Sequence, residues 1–239
     1  MRSAIAYDES YAVDHGHDSE VLGRLKVSSL ERWLTRLNLD ISELRICEIG
    51  FGSGWPLAYM NQHAHAVYGI EAIPENLQSA VRLGVNPSCL FDSSQLPGTL
   101  PEPIDLWVYQ DGFEHITDVH SHLDWVARNS SPDASALLVL PEASSPSEKI
   151  AGRLWPYRVV DHTFHWSRGG LTKVWGLVGF TSPVWFRPLK ALTLGHLLAC
   201  AAHKFGVKTK PGLSCKGPSL WFNVGEQGVL LRRGVRHET

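Results

Sequence analysis

Residues 47 to 55 read CEIGFGSGW, three glycines at spacing two behind a short apolar run that carries a glutamate. A glycine turn straight after a strand marks a place where backbone comes close to a ligand, because a Cβ there would clash. The dinucleotide fingerprint G-x-G-x-x-G needs its third glycine where helix and strand pack tightly. Trp55 stands at that position, and an indole cannot do the work of a glycine there. The pattern that fits is E-x-G-x-G-x-G, made by Glu48, Gly50, Gly52 and Gly54. Pro56 suits the first turn of the next helix, where its missing N–H is not needed. A helix N-terminus behind glycine N–H groups favours an anionic group, and a carboxylate such as Glu48 favours a cationic one.

Outward from that turn the periodicity alternates. "LRICEIG", "AVYGIEA", "SCLFDSS", "IDLWVYQDG" and "SALLVLPEA" read as five strands. "WPLAYMNQHA", "PENLQSAVRLG" and "HSHLDWVARNS" read as the helices between them. Strands alternating with helices over residues 44–142 define an α/β, doubly wound sandwich with a mostly parallel sheet. The length suits one domain over 1–239. Residues 1–43 are expected to form a helical cap, with "SSLERWLTRLNL" a helix capped by Ser28 or Ser29. Residues 143–168 carry aromatics and histidines without either period and are expected to form a substrate lid or loop. "RGGLTKVWGLVGF" reads as a helix into a turn and "SLWFNVGEQGVLLRR" as a final hairpin or strand. "LKALTLGHLLACAAHKFG" is apolar almost all round, which favours a core helix over a homodimer face or a membrane-surface helix.

Composition narrows the function classes. The net charge is −2 with no Lys/Arg run, so the basic footprint of a nucleic-acid binder is missing. The four cysteines are scattered, without a C-x-x-C pair, as expected of reduced thiols in a cytoplasmic protein. No signal pattern and no long apolar run is present, so neither export nor a membrane span is expected.

With Glu48 in register, the glycine stretch resembles the first motif of the class I S-adenosylmethionine-dependent methyltransferases. The resemblance implies a seven-stranded Rossmann-like sheet and S-adenosylmethionine as cofactor. That molecule offers a carboxylate, an ammonium, a sulfonium, a ribose and an adenine, which suits the donors and acceptors of the turn. Glu71 ends the second strand 23 residues after Glu48, where a ribose-binding acid belongs, with Ala72 beside it. Asp92, with Ser93 next to it, follows the third strand, where the family pairs an acid with the adenine amino group. Gln110 and Asp111 end the fourth strand beside the expected position of the methyl group. "SALLVLPE" is similar to the family's fifth strand and its proline.

The substrate end is less determinate. "DGFEHI" resembles the D-x-x-E-H-I stretch of small-molecule methyltransferases, and Tyr109 to Gly112 replace the D-P-P-Y or N-P-P-Y signature of nucleic-acid amino-methylating enzymes. Transfer to an oxygen or nitrogen of a small molecule is therefore expected. Other chemistry at the sulfonium, or a non-catalytic cofactor-binding subunit, are the alternatives. His115 is the first candidate base, and His162 and His165 in the lid are its rivals. His162 and His165 with Asp161 also invite a metal, but the expectation is a metal-free site. Tyr11, Trp155, Tyr157, Phe164 and Trp166 are candidates for the substrate pocket. His15, His17, Asp18 and Tyr7 are read as a polar cap over the cofactor. His63, His65, His120 and His122, in pairs two apart on helices, are read as surface residues.

Overall fold

In chain order the elements are α1 (Glu20–Arg36), β1 (Arg45–Ile49), α2 (Trp55–His63), β2 (Ala66–Glu71), α3 (Pro74–Arg82), β3 (Leu90–Asp92) and β4 (Ile104–Gln110). There follow α4 (Val119–Arg128), β5 (Ser130–Pro141), α5 (Pro146–Ala151), α6 (Arg168–Gly176), β6 (Phe180–Phe186), β7 (Lys190–Thr193), α7 (Leu194–Lys204), β8 (Ser219–Phe222) and β9 (Glu226–Arg233). This computed structural model describes residues 20–152, 155, 157, 162–204, 207, 212–223 and 225–234. Tyr7, Tyr11, His15, His17, Asp18 and Asp161 lie outside the described residues.

Seven strands form one sheet in the order β3-β2-β1-β4-β5-β9-β6. The first five are parallel, and β9 runs antiparallel between β5 and β6. The chain winds outward from β1 to β3, then crosses back to place β4 on the other side of β1. The crevice at the carboxyl ends of β1 and β4 is therefore the topological switch point, where such sheets bind ligands. The central strands are buried on both faces, which explains their near-continuous apolar runs. Trp107, Tyr109, Leu123, Trp125 and Trp175 pack on the face covered by α4 and α6. Leu30, Trp33, Leu57, Met60 and Leu137 pack on the face covered by α1 and α2.

Several expectations are corrected. Ser28 and Ser29 do not cap a helix, because α1 already runs from Glu20. Ser29 is buried inside it, where its Oγ donates to Leu25 O and accepts from Ala191 N at 3.0 Å. The apolar stretch 189–206 is not one core helix: Lys190–Thr193 pairs with β8, and α7 exposes Leu194 and Leu198. The C-terminal stretch is not a hairpin, since β8 joins β7 and β9 inserts into the main sheet. The unassigned "FTSPVWF" forms the edge strand β6. His122 is no surface residue: its Nε2 lies 2.8 Å from the Tyr109 hydroxyl, and burial lowers its pKa to about 4. The lid region contains the short helix α5, where Ser145 accepts from Glu148 N.

Candidate active site

All three glycines of the turn adopt positive φ, +70° at Gly50, +56° at Gly52 and +84° at Gly54. A side chain at Gly54 would press on Ala80 at 3.1 Å, so this glycine lets α2 and α3 pack. A Cβ at Gly52 would meet nothing in the protein within 4 Å. Its open space is a cradle that a ligand can fill. Trp55 is wedged against α1, where a Cβ on Gly23 would fall 2.3 Å from the indole. The residue that breaks the dinucleotide fingerprint is thus the one that seats α1 beside the turn. Lys26 on α1 reaches Ser53 Oγ at 3.5 Å and brings a cation to the same place, a contact with no local signal in the sequence.

Two buried carboxylates flank the turn. Glu48 is 1% exposed; its Oε1 accepts from Gln110 Nε2 at 2.7 Å, and its Oε2 has no hydrogen-bond partner among the described residues. Burial pushes its pKa up to about 8, against the opposing Gln110 hydrogen bond. A buried carboxylate oxygen without a donor fits a ligand ammonium. Glu71 accepts from Gly52 N at 2.8 Å, Ala72 N at 2.8 Å and Ile73 N at 3.1 Å. It therefore clamps the glycine turn to the end of β2; with the Asn76 side chain as a fourth donor, its roughly four acceptor positions are taken, so a ribose hydroxyl would share or displace one of them. Burial raises its pKa, and the hydrogen bonds from Gly52, Ile73 and Ala72 oppose that.

Asp92 pairs with Glu71 in the β2–β3 register, so the two acids end adjacent strands. Asp92 also caps the turn that starts at Ser93, taking Ser94 N at 2.7 Å and Ser94 Oγ at 2.6 Å; the hydroxyl bond and then the amide bond lower its pKa. These residues fit S-adenosylmethionine: an orphaned acid for its ammonium, a clamped acid for its ribose, a third for its adenine, and an open glycine turn between them.

The opposite wall starts at the end of β4, where Gly112 touches the turn: a Cβ on Gly50 would lie 3.5 Å from Gly112 Cα. Asp111 has φ of +53° and bonds Lys190 Nζ at 2.5 Å. Lys190 also bonds Glu226, which is fully buried and accepts from Tyr157 Oη at 2.7 Å. Burial pulls the Lys190 pKa down, but Asp111 and then Glu226 outweigh it and hold the ammonium charged. Burial and the Glu226 charge push the Tyr157 phenol well up. Sequence reading places Asp111 and Tyr157 here but misses Lys190 and Glu226, whose partners lie 36 to 79 residues apart in the chain.

The turn Phe113–His115 continues this wall. The His115 and His162 rings lie 4.9 Å apart, edge to face, so the loop that carries His162 meets the β4 end. Phe164 N donates to Glu114 O at 3.2 Å and anchors that meeting. His165 is exposed, its ring 5.9 Å from that of His162. Of the aromatic candidates, Trp155 is fully buried, and Trp166 packs on Phe113 at 5.2 Å while its carbonyl accepts from Gln227. Both brace the loop. Phe164 is 38% exposed, whereas the Tyr157 hydroxyl is engaged by Glu226. A separate cavity of about 650 Å³, lined by Arg45, Glu102 and Asp105, lies at the amino ends of β1 and β4, away from all of this chemistry.

The fold and the glycine turn together define a Rossmann-like cofactor-binding enzyme. The family model described as a methyltransferase domain matches residues 22–182, and the chain belongs to that family. It is an S-adenosylmethionine-dependent methyltransferase. No curated protein matches the sequence. Among solved structures, a complex between the Haloferax volcanii Trm112 methyltransferase activator and a methyltransferase is 14% identical, with TM-score 0.64 and 98% of each chain covered. A Mesorhizobium loti S-adenosylmethionine-dependent methyltransferase is 19% identical, with TM-score 0.56, 87% of this chain and 100% of that one covered. The Synechocystis magnesium protoporphyrin IX methyltransferase with bound S-adenosylhomocysteine is 13% identical, with TM-score 0.54, 98% of this chain and 90% of that one covered. At these identities the likeness is one of fold.

Proposed function

We propose that this enzyme methylates an oxygen or nitrogen of a small-molecule acceptor held between the end of β4 and the loop around His162. The observation that supports the reading is that Gly112 abuts Gly50, which brings the turn carrying His115, and His162 packed on it, next to the glycine turn. The cofactor supplies an electrophilic methyl group; the chain's task is alignment and handling of a proton. Glu48 receives the ammonium, Glu71 and Asp92 the ribose and adenine, and Gly52 leaves room for the ligand against the backbone. For a hydroxyl acceptor, a neutral imidazole of His115 or His162 is within the chemistry needed to accept its proton. The absence of a basic run supports a small acceptor over a nucleic acid. Among the described residues no helix is long and apolar enough to cross a membrane. Among the described residues Cys47 and Cys89 form no disulfide, which supports a reducing, cytoplasmic setting.

The test is turnover with methyl-labelled S-adenosylmethionine in fractionated cell extract. The expected result is a labelled small molecule and S-adenosylhomocysteine in equal amounts. His115→Ala should lower the rate by about 10²- to 10⁴-fold with cofactor affinity unchanged, the usual worth of a positioned base. Cofactor consumed without label transfer would mean displacement chemistry at the sulfonium. No consumption with any fraction would mean a cofactor-binding partner subunit.

A further inference from the structure

The turn after β4 buries a carboxylate that no side chain of the described residues bonds. Glu114 is 1% exposed, and neither of its carboxylate oxygens has a hydrogen-bond partner among the described residues. A charge or polar group buried in that way needs a compensating partner. Lys190 is already engaged by Asp111 and Glu226. Two imidazoles stand beside the carboxylate instead. His115 is its neighbour in the chain, and His162 is carried in by the loop that Phe164 anchors to the Glu114 carbonyl. One ligand atom from each of Glu114, His115 and His162 lies within 4.8 Å of the others.

We infer that Glu114, His115 and His162 form a site for a divalent cation of the zinc, manganese or iron(II) class, completed by an acceptor that presents two adjacent oxygens. Two imidazole nitrogens and one carboxylate are the donor set of catalytic zinc and of open non-haem iron sites, which leave positions for water or substrate. Bonds of about 2.0–2.2 Å to a shared ion would draw such ligand atoms to roughly 3–3.5 Å of one another. The carboxylate is buried while both imidazoles are partly exposed. With three protein ligands on one side, an ion that takes six has room for a chelating catechol or 1,2-diol.

The acceptor class rests on the methyl-transfer reading above; the cation site does not. A cation there acidifies the hydroxyl it binds, the proton passing to water, and His115 then holds the ion rather than taking the proton itself. This proposal departs from the metal-free site expected from sequence, and its ligand set differs from the His162, His165 and Asp161 group that the sequence offered.

Calorimetric titration of the untagged full-length chain with zinc, and separately with S-adenosylmethionine, tests the inference. The expected result is one zinc per chain, weakened at least tenfold by His162→Ala and by Glu114→Gln, with cofactor affinity within twofold of the parent. His162→Ala lies in a loop, so it decides the matter if Glu114→Gln does not fold. Catechol, unlike phenol, should tighten the zinc titration. A parent chain without stoichiometric zinc, or a His162→Ala variant that binds it equally well, would overturn the site. Catechol and phenol behaving alike would remove the chelating acceptor. Zinc binding without cofactor binding would sink the methyl-transfer reading and leave the cation site standing.

Discussion

The two walls of the β1–β4 crevice are assembled in opposite ways. Glu48, the three glycines and Glu71 come from 24 consecutive residues, and Glu71 bonds Gly52 within that stretch. The facing wall gathers Asp111, Glu114 and His115 from the β4 turn, Tyr157 and His162 from one loop, Lys190 from β7 and Glu226 from β9. The first wall is a local motif whose spacing carries its geometry. The second is a charge network closed only by the inserted β7–α7–β8 segment and the last strand. A local wall should fail through its own backbone, whereas a gathered wall should fail through lost stability.

The largest expected effect breaks the local wall. Gly52→Val places a branched side chain at a φ of +56°, in the open space of the glycine turn, where a Cβ meets no protein atom within 4 Å. Binding of S-adenosylmethionine should become undetectable in calorimetry while the circular-dichroism spectrum stays folded. Normal binding would show that the turn does not wrap the cofactor.

The gathered wall should respond next, and differently. Lys190→Met leaves Glu226, buried completely, and Asp111 without their shared cation. Removing one partner of a buried ion pair costs about 3–5 kcal/mol. Denaturant unfolding should show a loss of that order; a change below about 1 kcal/mol would mean that the two walls do not differ as described.

Glu71→Ala sharpens the comparison within the local wall, because Glu71 clamps the turn and, in the function proposed above, receives the ribose. A hydrogen bond to a charged group is worth about 1.5–3 kcal/mol, so cofactor affinity should fall about 10- to 150-fold. An unchanged dissociation constant removes Glu71 from the site.

The smallest effect is a pH dependence behind the gathered wall. His122, bonded to Tyr109 and with its pKa lowered by burial to about 4, stays neutral in the fold while the unfolded chain binds a proton near pH 6.5. Between those values the unfolded state holds more protons, so stability falls as pH drops, by about 1.4 kcal/mol per unit. His122→Gln should flatten that slope between pH 6.5 and 4. An equal slope in the variant would assign the acid sensitivity to other groups.

Much of the cofactor wall is legible in the chain because its parts are consecutive. Glycines at spacing two can supply successive positive-φ turns, and an acid at the end of the next parallel strand is brought alongside by the β1–β2 register. Trp55 is legible only as an exception; that it seats α1 against Gly23 needs the packed helices. His122 is misread from spacing, since residues two apart on a helix point different ways and one of them here points inward. The apolar run around 190–204 is misread for a related reason. Strand or helix in a short apolar segment depends on whether a partner strand is present, and β8 supplies it from about 30 residues further on.

By itself, the sequence determined the alternating α/β sandwich, the glycine turn and the acids that line it. Each of these follows from backbone stereochemistry and from periods of two or 3.6 residues, which act over a few positions. Only the tertiary structure decided what stands across the crevice: Lys190 between Asp111 and Glu226, and His162 beside His115 and the orphaned carboxylate of Glu114. Buried charges select their partners by distance in space, and no spacing along the chain encodes a contact made across four different elements.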